Sequence, residues 1–351
     1  MQRSAIIGTA ALAALFLAAC GHDHDWGNSN CCLNPIPPNY GPVSLLSLSD
    51  AERELGNIAT TMSLTDISSG TPQGFSTAST AAVRALGPGH AAVSAFGGGA
   101  AKAQLAPRTA VSTCANGGSD QVTTTAETRT FSYFNFSGPV TDTVNNYNSC
   151  ANTSGGTTTT YDGLLETGID STSVYSYAVL GQPNINNTVT IFTDGSGANG
   201  SSLHTEEDLL GLIEQQDSSS TLDNRANLFD TLFASQPNQP DYDGSFQIGN
   251  NSGVYEVISS STSLNIAGQY AYASTACYGG AVTVSTPTSI TLGTGTAGSG
   301  VPVGGALGIS SGSNSVTYTF NADGSASLSG SVSGSISASE VQSILQNGTT
   351  C

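Results

Sequence analysis

Basic residues are scarce in this chain of 351 residues. Seven lysines and arginines stand against 25 acids, which gives a formal net charge of −18, and Lys102 is the only lysine. Because so acidic a chain is repelled by phosphate backbones, we expect no nucleic-acid partner. A single lysine also nearly excludes Lys–Asn isopeptide cross-links, which some surface adhesins use. Although only 9% of residues are charged, 38% are hydrophobic, so the composition does not favour a disordered chain.

Catalytic and cofactor motifs are equally scarce. The sequence has no phosphate-binding loop, dinucleotide fingerprint or C-x-x-C motif, and we predict no cofactor. Residues 308–312 match the G-x-S-x-G pattern of serine hydrolases at Ser310, but chance gives such a match in a chain so rich in Gly and Ser. The pattern also needs a helix after it, whereas residues 315–320 alternate like a strand. His204 with Asp208 would have to complete the triad, so we expect no catalytic activity.

The segment His22-Asp23-His24-Asp25, close to Cys31 and Cys32, combines imidazole and carboxylate groups that bind divalent metals. A solvated tether accounts for the same residues, and a flexible site of this kind would lose ordering entropy on binding. We therefore predict no metal site and keep these four residues as weak candidates.

The amino terminus has the order of a secretory signal. One positive charge lies in Met1 to Ser4, an apolar or small run follows from Ala5 to Ala19, and the run stops at Cys20. The run is too short to span a membrane as a helix, and polar residues follow it directly. We predict a signal peptide over residues 1–19.

The segment Leu17-Ala18-Ala19-Cys20 resembles the lipobox of bacterial lipoproteins. In that family the cysteine thiol receives a diacylglycerol, the signal is cut before it, and the new amino terminus is acylated. The resemblance implies lipidation at Cys20, with palmitate among the acyl groups, and two or more acyl chains hold a protein firmly on a membrane. Residue 21 is Gly rather than Asp, which in Gram-negative members favours the outer membrane. We expect an outer-membrane anchor, with the body on either the periplasmic or the surface face.

Six further cysteines are present, and an exported protein is expected to oxidise them. Six cysteines allow fifteen pairings. We favour Cys114–Cys150 and Cys277–Cys351, because each bond would close within one predicted module. By chain entropy each would contribute about 4 kcal/mol. Cys31 and Cys32 are adjacent, so a bond between them would be strained, and they are candidates for bridges to another chain.

Residues 20–110 have the composition of a linker or stalk rich in Pro, Ala and Gly, with short helices. One helix is predicted over about 50–63, begun by a capping box at Ser49 and Glu52, and another over about 78–86. Beyond this stalk, residues 111–200 and 245–351 are predicted β modules. Residues 201–244 would connect them as a partly helical segment, because 203–215 and 222–233 look helical.

Period-two alternation predicts the strands of these modules. The clearest runs are 174–179, 188–192, 254–257, 270–273 and 316–320. Asp-Gly pairs beginning at Asp162, Asp194, Asp243 and Asp323 predict hairpin turns. The aromatic positions of 131–136 change parity, which predicts a bulge or a strand covered on both faces; their rings are core or, if exposed, a surface for glycan rings. We expect a mainly β fold, an antiparallel meander or sandwich, with a small helical insertion.

Residues 112–118 and 274–280 have similar sequences, each with a Cys and a Gly-Gly pair before a strand rich in hydroxyls and each with one later cysteine. This arrangement over 111–351 resembles uncharacterised proteobacterial lipoproteins. The resemblance implies two related β modules and brings no known activity, and chance similarity in a Gly-rich chain is the alternative.

The function predicted from these features is that of a non-enzymatic cell-envelope lipoprotein. Its role would be structural, or the recognition of another envelope protein or a polysaccharide. The alternative is a carrier or chaperone of lipid-like cargo on an apolar concave face, and the third hypothesis is a hydrolase that uses Ser310. A continuous apolar cavity would favour the carrier, whereas a filled core would favour the structural or recognition role.

Overall fold

The computed structural model describes residues 40–65, 108–154, 156–182, 187–196, 202–235, 237, 242–250, 253–274, 279–293 and 300–347. The two helices of these residues are α1 (Leu48–Thr65) and α2 (Ala338–Asn347). The strands are β1 (Arg108–Thr113), β2 (Ser119–Phe131), β3 (Phe136–Ser154), β4 (Thr157–Asp170), β5 (Tyr175–Leu180), β6 (Val189–Ser196), β7 (Ser202–Asp217), β8 (Leu222–Ser235), β9 (Tyr242–Ile248), β10 (Tyr255–Ser259), β11 (Ser263–Ser274), β12 (Gly280–Leu292), β13 (Pro302–Ser311), β14 (Asn314–Phe320), β15 (Ala326–Gly330) and β16 (Gly334–Ile336).

All these strands belong to one antiparallel sheet of 16 strands, in which most neighbours in sequence are neighbours in space. Two places depart from this order. β5 and β6 both lie between β4 and β7, and β9 and β10 both lie between β8 and β11. β5 and β6 run in the same direction, and so do β9 and β10. Each pair therefore occupies the position of a single strand interrupted by a short connecting segment. The predicted mainly β, antiparallel fold is therefore confirmed, and the strands follow one another as a meander.

The prediction of helices over 203–215 and 222–233, and with it the helical insertion, is wrong. These segments are β7 and β8, which pair without a shift from His204 to Asp217. Leu, Glu and Gln favour helices locally, but the tertiary pairing overrides that preference. Alternation was hidden because the buried positions of β7 include Thr205 and Glu207 beside Leu209. The predicted division into two related modules stays a prediction. Strands from both predicted modules belong to the same sheet.

The change of parity at 131–136 marks a hairpin turn, so the expected bulge or doubly covered strand is wrong. β2 ends at Phe131, β3 begins at Phe136, and these two residues pair. The turn between them includes Asn135, whose φ is 52°. Phe131 is fully buried against Val140 and Tyr177, which places this ring in a core.

Of the Asp-Gly pairs, Asp323-Gly324 forms the predicted turn, between β14 and β15, where Gly324 N–H donates to the Asn321 carbonyl. The pairs at Asp162, Asp194 and Asp243 lie within β4, β6 and β9 instead. Gly163 marks the point where β4 changes partner from β6 to β5. Its φ is +99°, and a Cβ there would lie 2.6 Å from the Thr188 carbonyl oxygen, so the close approach requires glycine.

The first predicted helix is confirmed as α1, but its capping box lies two residues earlier than expected. The Ser47 hydroxyl accepts a hydrogen bond from the Asp50 amide at 3.1 Å, and the Asp50 carboxylate accepts one from the Ser47 amide at 3.0 Å. These bonds satisfy two free amides at the start of the helix. Ser49 and Glu52 therefore lie inside α1.

α1 packs against one face of the sheet, which we call the inner face. The sequence had placed this helix in a stalk outside the sheet. Leu55, Ile58 and Met62 are buried there with the apolar residues of β4 to β16. The Tyr318 hydroxyl of β14 donates to the Ala51 carbonyl at 2.6 Å, and the Tyr255 hydroxyl of β10 lies 2.8 Å from that of Thr61. α1 thus crosses the strands between β14 and β10, and residues 40–65 belong to the sheet body.

The predicted signal peptide and the predicted helix over 78–86 lie outside the described residues. Neither α1 nor α2 combines the length and the apolar character that a membrane-spanning helix needs.

Candidate functional site

Most site residues predicted from the sequence lie outside the described part of the chain. They are Cys20, His22, Asp23, His24, Asp25, Cys31, Cys32, Cys277 and Cys351. The two cysteines that are described, Cys114 and Cys150, are bonded to each other with their Cα atoms 5.3 Å apart. This bond joins the turn after β1 to the second half of β3. Within the described residues, His, Cys, Asp and Glu form no group of three that could hold a metal ion.

The serine-hydrolase pattern does not form a nucleophile elbow. Ser310 lies in β13 opposite Thr283 and Ser315, and Gly312 begins the turn into β14 rather than a helix. The two residues expected to complete a triad both lie on β7. His204 Nδ1 lies 2.7 Å from an Asp194 oxygen, and the Asp208 carboxylate accepts a hydrogen bond from the Thr190 hydroxyl at 2.5 Å.

The opposite face of the sheet, which we call the outer face, has two parts. Over one part the β2–β3 turn folds back onto β7 and β8. The Glu214 carboxylate accepts bonds from the Ser132 and Tyr133 amides at 2.9 and 2.8 Å. Arg225 donates to the Tyr133 carbonyl at 2.6 Å and lies 4.4 Å from the centre of the Phe134 ring. The turn is therefore held by charge-assisted bonds, and the rings of Phe134 and Phe136 are partly buried against the core around Phe131.

Next to this turn, a polar group surrounds the Tyr177 ring. Arg129 lies 3.5 Å from the ring centre and pairs with Glu166, and the Tyr177 hydroxyl donates to Asp142 at 2.6 Å. The pKa of Asp142 is raised to about 6, mainly by burial; Glu166 and Glu127 also raise it, while the bond from Tyr177 and the charge of Arg129 lower it. A carboxyl group so perturbed marks a candidate site, but structural ion-pair clusters perturb carboxyl groups in the same way.

The second part of the outer face is built from three cross-strand rows, and we call it the outer patch. The central row runs from Thr160 of β4 through Phe192, Glu206 and Phe233 to Asp243 of β9. Adjacent residues in such a row lie about 5 Å apart. A carboxylate therefore lies between two phenyl rings, which combines a stacking surface with a hydrogen-bond acceptor.

The other two rows flank the central one. They consist of Thr158, Asp194, His204 and Ser235 on one side and Asp162, Thr190, Asp208, Thr231 and Ser245 on the other. Burial raises the pKa of Asp208, although hydroxyl groups of Thr190, Thr188 and Thr231 donate to it and lower the shift. The Asp194 side chain is 60% exposed, and Asp162 and Asp243 are exposed.

The outer patch carries five carboxylates and no lysine or arginine. The four arginines of the described residues lie elsewhere: Arg53 on α1, Arg108 on β1, Arg129 on β2 and Arg225 at the other end of β8. The patch is thus a strongly acidic surface of hydroxyl, carboxylate and phenyl groups. Sequence reasoning missed it because its members come from five strands, and only the register brings them together.

The inner face is covered by the chain itself. Glu54 of α1 is fully buried; its carboxylate accepts bonds from the Tyr270 and Tyr272 hydroxyls at 2.7 and 2.6 Å and from Asn57 at 3.2 Å. Arg53 supplies a charge partner at 3.1 Å. α2 also packs against α1, with Val341 and Leu345 buried in the same core. The inner apolar face is therefore occupied by α1, which polar bonds hold in place, and by α2, which packs there through apolar residues.

Comparison of the chain with known protein families, with curated proteins and with solved structures found no match.

Proposed function

We propose that this protein is a non-enzymatic lipoprotein of the cell envelope, anchored in the outer membrane through Cys20, and that its sheet body recognises another envelope component. The observation that carries the proposal is the occupation of the inner face by α1. Because Tyr255, Tyr270 and Tyr318 all hydrogen-bond α1, the helix is fixed there by specific contacts. A carrier of lipid-like cargo needs that apolar face for its cargo.

The outer patch supplies the chemistry for recognition. Its hydroxyl and carboxylate groups bond polar partners, and the rings of Phe192 and Phe233 offer flat apolar surfaces. Such a combination suits an envelope protein or a polysaccharide. Neither partner requires a cofactor or a reaction.

The experiment for anchoring compares the full-length protein with Cys20→Ala in its own envelope. We expect the wild type to take up a palmitate analogue and to sediment with outer membranes, and the variant to do neither. Equal labelling of the variant would reject the lipid anchor.

The experiment for recognition measures sedimentation of the mature protein with envelope fragments from cells that lack it. Glu206→Gln/Asp243→Asn should reduce binding, whereas the matched control Glu127→Gln/Asp217→Asn, which removes two carboxylates elsewhere, should not. Native mass spectrometry of the protein extracted from membranes separates the alternative: a stoichiometric lipid-like ligand in the body would favour the carrier.

A further inference from the structure

The two edge strands of the sheet differ in how open they are. β16 has three residues and is followed at once by α2, whereas β1 has six residues, all exposed. Among the described residues, no strand lies on the other side of β1. Natural proteins protect edge strands by shortness, proline, lysine or a bulge. β1 contains no proline or lysine and pairs with β2 without a shift, so its open side can accept another strand.

The register decides which backbone groups of β1 point to the open side. The amide of Cys114, directly after β1, donates to the Gly118 carbonyl, so these two residues form a hydrogen-bonded pair. Hydrogen-bonded and non-bonded pairs alternate along an antiparallel ladder, and the even-numbered residues of β1 therefore bond β2. The residues whose amides and carbonyls point to the open side are the odd-numbered ones, Thr109, Val111 and Thr113.

We propose that β1 pairs with β1 of a second copy of this chain, antiparallel, about a two-fold axis at Val111. The inference goes beyond the proposed function, because self-association requires no other envelope component. The axis stands perpendicular to the sheet, so the outer faces of both copies lie on one side. Val111 lies opposite the partner's Val111, and Thr109 lies opposite the partner's Thr113. Every outward amide then meets an outward carbonyl, with two hydrogen bonds for each opposing pair.

The side chains of β1 suit this pairing on both faces. The three outward-bonding residues are all β-branched and lie on the outer face, where cross-strand pairs of such residues stabilise an antiparallel ladder. On the inner face, Ala110 lies opposite the partner's Ser112, and both side chains are small. Val111 is 69% exposed, although it is a large hydrophobic residue, and the pairing covers it.

Two unsatisfied charges favour a second copy over any other strand. Arg108 is exposed and has no ion-pair partner among the described residues. Asp120 lies beside Ser112 on the inner face, and its Oδ1 atom is buried with no described hydrogen-bond partner. Across the axis, Arg108 lies two strands and two residues from the partner's Asp120, about 12 Å between Cα atoms. An extended arginine side chain closes that distance, and the symmetry forms the pair twice.

An interface of one short strand from each copy is small, and such interfaces are weak. Anchoring in one membrane raises the effective concentration of the two copies without any new contact. The pairing is therefore best tested in the protein's own envelope.

Oxidative cross-linking provides this test. Val111→Cys places two thiols across the axis, at the Cα separation of roughly 5.5 Å that a hydrogen-bonded pair has and a disulfide spans. Gln121→Cys is the matched control, because Gln121 lies beside Val111 on β2 and is exposed, but its two copies would be about 14 Å apart. Both variants carry Cys31→Ser/Cys32→Ser, which removes the two candidates for bridges to another chain. We expect at least tenfold more linked dimer from Val111→Cys.

A proline at the axis provides a second measurement, on protein extracted from membranes in detergent. Val111→Pro removes an amide that points to the open side and none that bonds β2, so the chain keeps its fold. Equilibrium sedimentation should show at least tenfold weaker dimerisation for this variant. Val111→Thr keeps both the amide and the β-branch and should dimerise like the wild type. An unchanged melting temperature of Val111→Pro at low protein concentration verifies the fold.

The charge pair is tested by a double-mutant cycle. Arg108→Gln and Asp120→Asn should each weaken dimerisation about three- to tenfold at low salt, and high salt should weaken the wild type similarly. The double variant should be no weaker than either single one, because both changes remove the same interaction. Glu127→Gln, which removes a carboxylate elsewhere on β2, should have no such effect.

Three results would overturn the proposal. The first is as much linked dimer from Gln121→Cys as from Val111→Cys, or none from either. The second is linkage of Val111→Cys mainly to a different protein, which would assign the edge to another partner. The third is dimerisation that Val111→Pro leaves unchanged. Loss of envelope binding by the outer-patch variants without any change in these measurements would bear on the proposed function only.

Discussion

At the scale of single residues, the surroundings of a buried carboxylate decide whether its charge stabilises the fold. Asp170, the last residue of β4, accepts bonds from the amides of Thr172, Val174 and Tyr175 and from the Thr172 hydroxyl. Burial alone would raise the pKa of Asp170, but these donors outweigh it and the pKa is lowered. Asp142 has one such donor, Tyr177, and two acidic neighbours, so its pKa is raised to about 6.

We predict that Asp142→Asn stabilises the protein above about pH 7. The folded state binds a proton at Asp142 more tightly than the unfolded state, whose Asp pKa is about 3.9, so the contribution of Asp142 to stability falls as pH rises from about 4 to 6. The amide still accepts the Tyr177 bond and carries no charge. The gain in melting temperature over wild type should therefore be full above pH 7 and should vanish near pH 4.

Asp170→Asn is the contrasting control, because its ionised form is the one that the fold favours. It should lower the melting temperature throughout the range above about pH 4. A gain from Asp142→Asn that did not depend on pH would contradict the electrostatic origin of the effect.

At the scale of elements, a strand was predicted correctly where hydrophobicity alternates cleanly. In β14, Val316, Tyr318 and Phe320 are buried and the residues between them are not. The prediction for β7 was wrong because its buried positions include Thr205 and Glu207, so its sequence shows no alternation of apolar and polar residues. The position of α1 also could not be predicted, since its helical pattern shows an apolar side but not the surface that covers it. The outer patch required the register of β4, β6, β7, β8 and β9, which a local pattern does not contain.

The cap of α1 gives the sharpest test at this scale. Ser47→Ala should lower the free energy of unfolding by about 1 kcal/mol, because it removes the acceptor for the Asp50 amide. Ser49→Ala, at the position that the sequence suggested, should change stability by a few tenths of a kcal/mol at most, since Ser49 is exposed within the helix and Ala favours helices. Chemical denaturation measures both. The reverse order of the two effects would place the cap at Ser49.

At the scale of the whole molecule, one continuous sheet has very uneven burial. All six residues of β1 are exposed, and Phe131 is the only fully buried residue of β2. The core around α1 instead gathers apolar residues from β4 to β16. Regions with few buried contacts open locally at a small cost in free energy, so hydrogen bonding across the sheet does not make its stability uniform.

The bond between Cys114 and Cys150 is therefore expected to protect one edge of the sheet rather than the whole. Cys114→Ser/Cys150→Ser opens a loop with a sequence separation of 36. From chain entropy, the loss in free energy of unfolding is roughly 4 kcal/mol at most. Amide hydrogen exchange should accelerate in β1, β2 and the second half of β3, by up to about a thousandfold, and change little in β11 to β14. Tyr318→Phe, which removes the bond to α1, should give the opposite distribution. Equal acceleration in both regions after loss of the disulfide would contradict this prediction. It would show that the sheet unfolds only as one unit, because a loss of global stability then accelerates exchange equally in every strand.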